Sequence, residues 1–139
     1  MARYTATSDT FGTWQPSEIT FPDTLSLVVL HMRPLLAPAK VATSLVGWKR
    51  PEPCVQFTRT GGSARGLFDA VDLQVDVRAE TLDDTQAFTS LARKHLANLP
   101  NALDEVKMVA ETGGVTWLPD PEDNQPRMTW TVAIRVMGQ

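Results

Sequence analysis

At 139 residues, with 42% hydrophobic and 21% charged content, the chain suits one domain with a sizeable core and is too apolar for general disorder. A formal charge of -3 argues against a protein that grips nucleic acid by counterion release. A single cysteine excludes an internal disulfide.

Residues 1–20 carry Tyr4, Phe11 and Trp14 among Thr, Ser and Gly without sustained periodicity. This N-terminal arm is either flexible or an extended segment laid over a neighbour; its aromatic content points to docking. It lacks a basic region followed by an apolar core, so no signal peptide is expected. The longest apolar stretch, 25–30 with Met32, is far short of the ~20 residues of a membrane span. The expectation is a soluble chain made in a reducing cytosol, with no membrane partner.

Residues 21–139 read as one α+β domain. Phe21-Pro22-Asp23-Thr24 looks like a helix entrance, with Pro in the first turn and Asp at the positive end of the dipole. Leu25, Val28, Val29, Met32 and then Leu35 or Leu36 keep helical spacing. Pro34 should end or kink this helix near 31–33, since its ring removes a donor and clashes one turn back. His31 lies off the stripe and reads as a surface residue. Residues 40–46 suggest a short strand, and the loop 47–53 returns the chain to its centre. Trp48 beside Lys49 and Arg50 is weak evidence for a nucleic-acid stacking patch and reads better as a loop tryptophan packed on the sheet.

That centre is 54–79, two strands joined by a glycine-rich loop. Val71, Leu73, Val75, Val77 and Ala79 alternate with Asp72, Gln74, Asp76 and Arg78, the period of a strand buried on one face and wet on the other. Val55 to Arg59 alternates as well, and Cys54 reads as a small buried apolar residue. The loop 61–66 holds three glycines in six residues, too long for a two-residue hairpin turn. With no large apolar side chain to anchor it, the loop is expected to be mobile in the free subunit.

Thr81 with Asp83 and Asp84 opens a second helix, along which Phe88, Leu91, Ala92, His95, Leu96 and Leu99 form one stripe. Pro100-Asn101 should stop it. Val106, Met108 and Ala110 alternate with Lys107, Val109 and Glu111 as a strand, which Gly113-Gly114 bends and 115–118 resumes. The segment 119–126 is a turn stiffened by three prolines. Last, Met128, Trp130, Val132, Ile134 and Val136 alternate through a strand that matches 70–79 in length and pattern. The sum is a mostly antiparallel β-sheet with two α-helices packed on one face, the helices covering Val71, Leu73, Val75, Val77, Trp130, Val132 and Ile134.

No catalytic residue, cofactor or metal site is expected. Two histidines and one cysteine fall on different elements, without zinc spacing. The 61–66 loop lacks the GK[ST] ending of a phosphate loop and leads into a strand rather than a helix. Asp120, Glu122 and Asp123 lack the EF-hand glycine and distal glutamate. Asp72 and Asp76 stand about 13 Å apart at ~3.3 Å per residue, too far for a paired-carboxylate mechanism.

The opening Phe21-Pro22-Asp23, the strand end Arg59-Thr60-Gly61-Gly62, the strand Val75-Asp76-Val77 leading to an Ala-Leu-rich helix, and above all Trp117-Leu118-Pro119-Asp120-Pro121 followed by Pro126-Arg127 and a final strand form a pattern. It resembles the tail terminator (tail-completion) proteins of long, non-contractile-tailed bacteriophages, especially those of actinobacterial hosts. The resemblance spans about residues 21–139. It implies a non-enzymatic virion subunit, assembled in the host cytoplasm into a six-membered ring at the head-proximal end of the tail. Such a ring ends polymerisation of the tube and presents a docking surface to the head connector. The implied partners are copies of itself, the major tail tube protein, the head–tail connector, and genomic DNA passing through the lumen without specific binding. Pro34 and the arm 1–20 depart from the family pattern. The alternatives are another head–tail joining or neck protein, or a ferredoxin-like small-molecule-binding domain. Candidate assembly contacts are Arg59, Gly61, Gly62, Arg65, Asp72 and Asp76 on the sheet and its loop, with Tyr4, Phe11 and Trp14 on the arm.

Overall fold

The computed structural model describes residues 20–138, so Tyr4, Phe11 and Trp14 lie outside the described residues. The elements follow as α1 (Thr24–Leu36), β1 (Lys40–Ala42), β2 (Cys54–Gly61), β3 (Ala64–Arg65), β4 (Phe68–Arg78), α2 (Leu82–Ala97), α3 (Leu99–Ala102), β5 (Val106–Trp117) and β6 (Arg127–Met137). The strands form one sheet in the order β1-β2-β4-β6-β5, with β3 added on β4. Only β1 runs parallel to its neighbour, and the other pairings are antiparallel. The fold is α+β.

The alternation in β4 and β6 sets the register. They pair without interruption from Phe68 opposite Met137 to Arg78 opposite Arg127. Val71 faces Ile134, Leu73 faces Val132 and Val75 faces Trp130, so one face of the pair is apolar throughout. These side chains, with Val55 and Phe57 of β2, join Val28, Val29, Met32 and Leu36 of α1 and Ala92, Leu96 and Leu99 in one buried cluster. Each Val, Leu, Ile, Phe or Met side chain among them contributes about 1.5–3 kcal/mol over leaving it exposed.

Asp23 caps α1 through its side chain, which accepts from the Ser26 amide at 3.2 Å and the Ser26 hydroxyl at 2.8 Å. Pro22 therefore precedes the cap instead of entering the first turn. Pro34 does not end the helix, which runs on to Leu36. The carbonyl deprived of its donor belongs to Leu30, whose residue is 61% exposed, and burial of Leu36 favours the extra turn. Thr81 caps α2 by accepting the Asp84 amide at 3.1 Å. The deepest stripe of α2 includes Thr85 and Thr89, whose hydroxyls donate to the carbonyls four residues back at 2.7 Å. That internal satisfaction lets two threonines line an apolar interface. The helix ends at Ala97, and Pro100 sits inside a third, four-residue helix near its first turn, where a missing N–H costs nothing.

Three strand expectations need correction. β1 covers only 40–42, not 40–46. β5 is one strand, with irregularities between Val106 and Met108, between Glu111 and Gly113, and between Gly113 and Thr116. The first irregularity shifts the period by one, so Val109 packs on the core while Met108 is 43% exposed. The loop 61–66 is not a free tip. Its residues Ala64 and Arg65 pair with Asp69 and Phe68, and the chain reverses through the two-residue turn Gly66-Leu67. Gly66, at φ +57, takes the positive-φ position that opens such a turn.

Candidate assembly surface

The sheet face turned away from the helices carries the other half of each alternation: Ala70, Asp72, Gln74, Asp76 and Arg78 on β4, and opposite them in turn Arg135, Ala133, Thr131, Thr129 and Arg127 on β6. This face was expected to be wet along its length. It is not, because Asp76 and Arg78 are only 5% exposed. The covering elements are the loop 43–53 and the turn 119–126. Arg50 reaches across to donate to Asp120 at 2.8 Å, and it also pairs with Asp123. Arg78 approaches the same Asp120 oxygen at 3.6 Å and donates to Gln56 at 3.1 Å. The Trp48 ring takes the Arg50 guanidinium at 5.0 Å and that of Arg78 at 5.9 Å, while its indole N–H donates to the Glu52 carbonyl at 2.7 Å. Trp48 is thus a packed loop tryptophan, with its π-face already occupied. Burial alone would raise the Asp120 carboxyl. The Glu122 amide, the Arg50 hydrogen bond and the two arginine charges outweigh it and hold the group below the usual carboxylate range.

The opposite end of this face is open. Arg65, Phe68 and Arg135 line, with Ser63 and Ala70, a concavity of about 200 Å³. The Arg135 guanidinium lies over the Phe68 ring at 5.8 Å. Leu67 at the turn is 56% exposed and Phe68 is 37% exposed. Neither Arg65 nor Arg135 makes an ion pair among the described residues. The apolar tip and Arg135 escaped the sequence reading, although the Leu67-Phe68 doublet was legible as two adjacent large apolar residues that one-sided burial cannot both hide.

The structure divides the candidate contacts among three places. Arg59, Gly61, Gly62 and Asp72 share the distal corner of β2 and β4. There Arg59 pairs with Asp69 at 3.6 Å, and the Asp72 carbonyl accepts the Thr60 hydroxyl at 3.4 Å. Gly62 is required by close approach, since a Cβ there would fall 1.9 Å from the Ala70 carbonyl oxygen. Arg65 stands apart at the tip. Asp76 belongs to the covered end and accepts from the Gln74 amide at 3.3 and 3.1 Å.

Among the described residues no group of His, Cys, Asp and Glu is placed to hold a metal ion. His31 and His95 are each half-buried on different helices. Cys54 is fully buried, and that burial pushes its thiol up to about 11. No helix among the described residues is long and apolar enough to cross a membrane. No family model matches the chain, and no curated protein matches its sequence.

Proposed function

We propose that this chain is a structural, non-enzymatic subunit of a phage virion. Copies of it form a ring, six-membered as in the family it resembles, that caps the tail tube, ends its polymerisation and joins the tail to the head connector. The observation that carries this reading is the division of the sheet. One face is consumed by the helices, and the other keeps an open end where Phe68, Arg65 and Arg135 converge, with Leu67 exposed at the adjoining turn. Exposed apolar side chains beside unpaired guanidinium groups suit a protein partner better than they suit a small substrate. The tail tube protein and the connector are the partners on the two sides of the ring, and DNA crosses its lumen without adhesion to an acidic subunit.

Deletion of the gene from its phage tests this. Heads and tails should accumulate unjoined, with tails of abnormal length. Tails of normal length that fail to join would shift the role to another neck component. Normal tails on filled heads would sink the reading altogether.

A further inference from the structure

We propose that a second copy of this chain is the occupant of the open hairpin tip, and that it docks through its 119–126 turn. Glu122 of that copy enters the concavity between Arg65 and Arg135, while its Trp117 and Leu118 cover Leu67 and Phe68. The inference rests on the self-association proposed above and specifies which surfaces perform it.

Two patches on the described surface complement each other. At the tip, Leu67 and Phe68 are exposed beside two arginines that have no carboxylate partner among the described residues. At the turn, Trp117 and Leu118 are 45% and 47% exposed, and they run directly into Asp120, Glu122 and Asp123. Each patch therefore joins two large apolar side chains to a charge, and the charges are opposite in sign. Within the turn the carboxylates differ. Arg50 holds Asp120 and Asp123 at its shortest contacts and also pairs with Glu122 at 3.5 Å, but the Glu122 side chain stays 79% exposed. Glu122 is the carboxylate left to project.

Both patches are also held in place before they meet. The turn is fixed by Asp120 exchanging backbone hydrogen bonds with Gln125 and Asn124 at 3.0 and 2.8 Å, and by the Glu122 amide donating to the Asp120 side chain at 3.0 Å. The tip is fixed by the β3–β4 pairing and by Arg135 lying over Phe68. Little ordering entropy is then lost on contact. A carboxylate seated between two guanidinium groups gains charge-assisted hydrogen bonds that apolar cover shields from water.

Geometry decides how copies combine. Phe68 pairs with Met137 and Trp117 pairs with Met128, so the patches lie at opposite ends of β6. Nine residues separate those ends, about 30 Å at ~3.3 Å per residue. A patch that matches only the far end of another copy makes a heterologous contact. Repeated, such a contact closes a ring or extends a filament, whereas a two-fold dimer would need each patch to match itself. An unrelated acidic partner would satisfy the tip and leave Trp117 and Leu118 bare.

Disulfide trapping tests the contact in the full chain, as purified protein at up to millimolar concentration and on tail tubes from the deletion phage. Leu67→Cys and Glu122→Cys are made separately and then oxidised alone and mixed. A cross-linked pair should form in the mixture and not with either variant alone, and Arg135→Glu in the Leu67→Cys chain should abolish it. In the otherwise unmodified chain, Arg65→Glu with Arg135→Glu should weaken self-association by roughly tenfold or more, and Glu122→Arg should restore it. Equal cross-linking of either variant alone, or none under both conditions, overturns the proposal. If the parent chain assembles and the charge reversals change nothing, this inference falls while the ring reading stands. If the parent forms no assembly free or on tubes, both fall.

Discussion

Arg50 and Asp120 stand 70 positions apart in the chain and meet at 2.8 Å, tying the loop after β1 to the turn before β6. The contact closes a lid over one end of a sheet face that no helix covers among the described residues. Beneath it Arg78 is buried with a guanidinium N–H that has no hydrogen-bond partner among the described residues, at 3.6 Å from the same carboxylate. Asp120 thus balances two arginines, one at the surface and one below it.

Removing that carboxylate leaves Arg78 buried without its countercharge. Asp120→Ala should cost roughly 3 kcal/mol of unfolding free energy, measured by urea denaturation at neutral pH. The pH dependence follows from the sign of the shift. The folded carboxyl lies below its unfolded value of 3.8, so its stabilisation is fully present above that value and is lost as pH falls through the lower folded pKa. Asp120→Asn should therefore flatten part of the acid limb of the stability curve. An acid limb identical to the parent's would show that the pair contributes nothing.

Val75 lies between Phe57 and Trp130 in the ladder and is fully buried. Val75→Asp places a carboxylate there with no partner, and the domain should not fold. A circular-dichroism melt matching the parent's would mean that the buried face is assigned wrongly.

Two glycines give a matched comparison. Gly62→Ala brings a Cβ against the Ala70 carbonyl at a φ of +99, and it should lose more than about 1 kcal/mol. Gly114→Ala meets nothing within 4 Å among the described residues and should stay within roughly 0.5 kcal/mol of the parent. Thermal denaturation of both variants reads the difference directly.

Cys54 is sealed beneath the sheet's covered end, with its thiol pushed up to about 11 by burial. At pH 8 it should resist iodoacetamide in the native protein and react at once in urea, when exposure returns it to an ordinary value. Rapid native labelling would mean that the lid formed by loop 43–53 opens freely.

Much of the fold was legible because the two long strands alternate without a break. The helix-covered face of Val71, Leu73, Trp130 and Val132 follows from period two alone, whereas the pairing of Val71 with Ile134 and Leu73 with Val132 is a register that only the structure supplies. The cap Thr81 was legible for the same local reason, since it acts within three residues of itself, whereas Asp23 was read only as a first-turn charge and proves to be the cap of α1. β5 was misread in part because a bulge inserts one residue and inverts the apparent period after Val106, and no local residue type announces it. The tip was misread because Ala64 and Arg65 are poor strand formers, recruited only by the free edge of β4 beside them.

The sequence by itself determined the α+β class, the buried face of the central strands and the absence of any spaced metal or nucleotide motif, since each depends on residues close along the chain. Only the tertiary structure decided what happens on the other face. Whether Asp76 and Arg78 meet water depends on two aperiodic loops converging from distant positions, and charge pairs across 70 residues leave no period to read. The open tip was settled in the same way: Arg65, Phe68 and Arg135 become neighbours only when β3, β4 and β6 lie side by side.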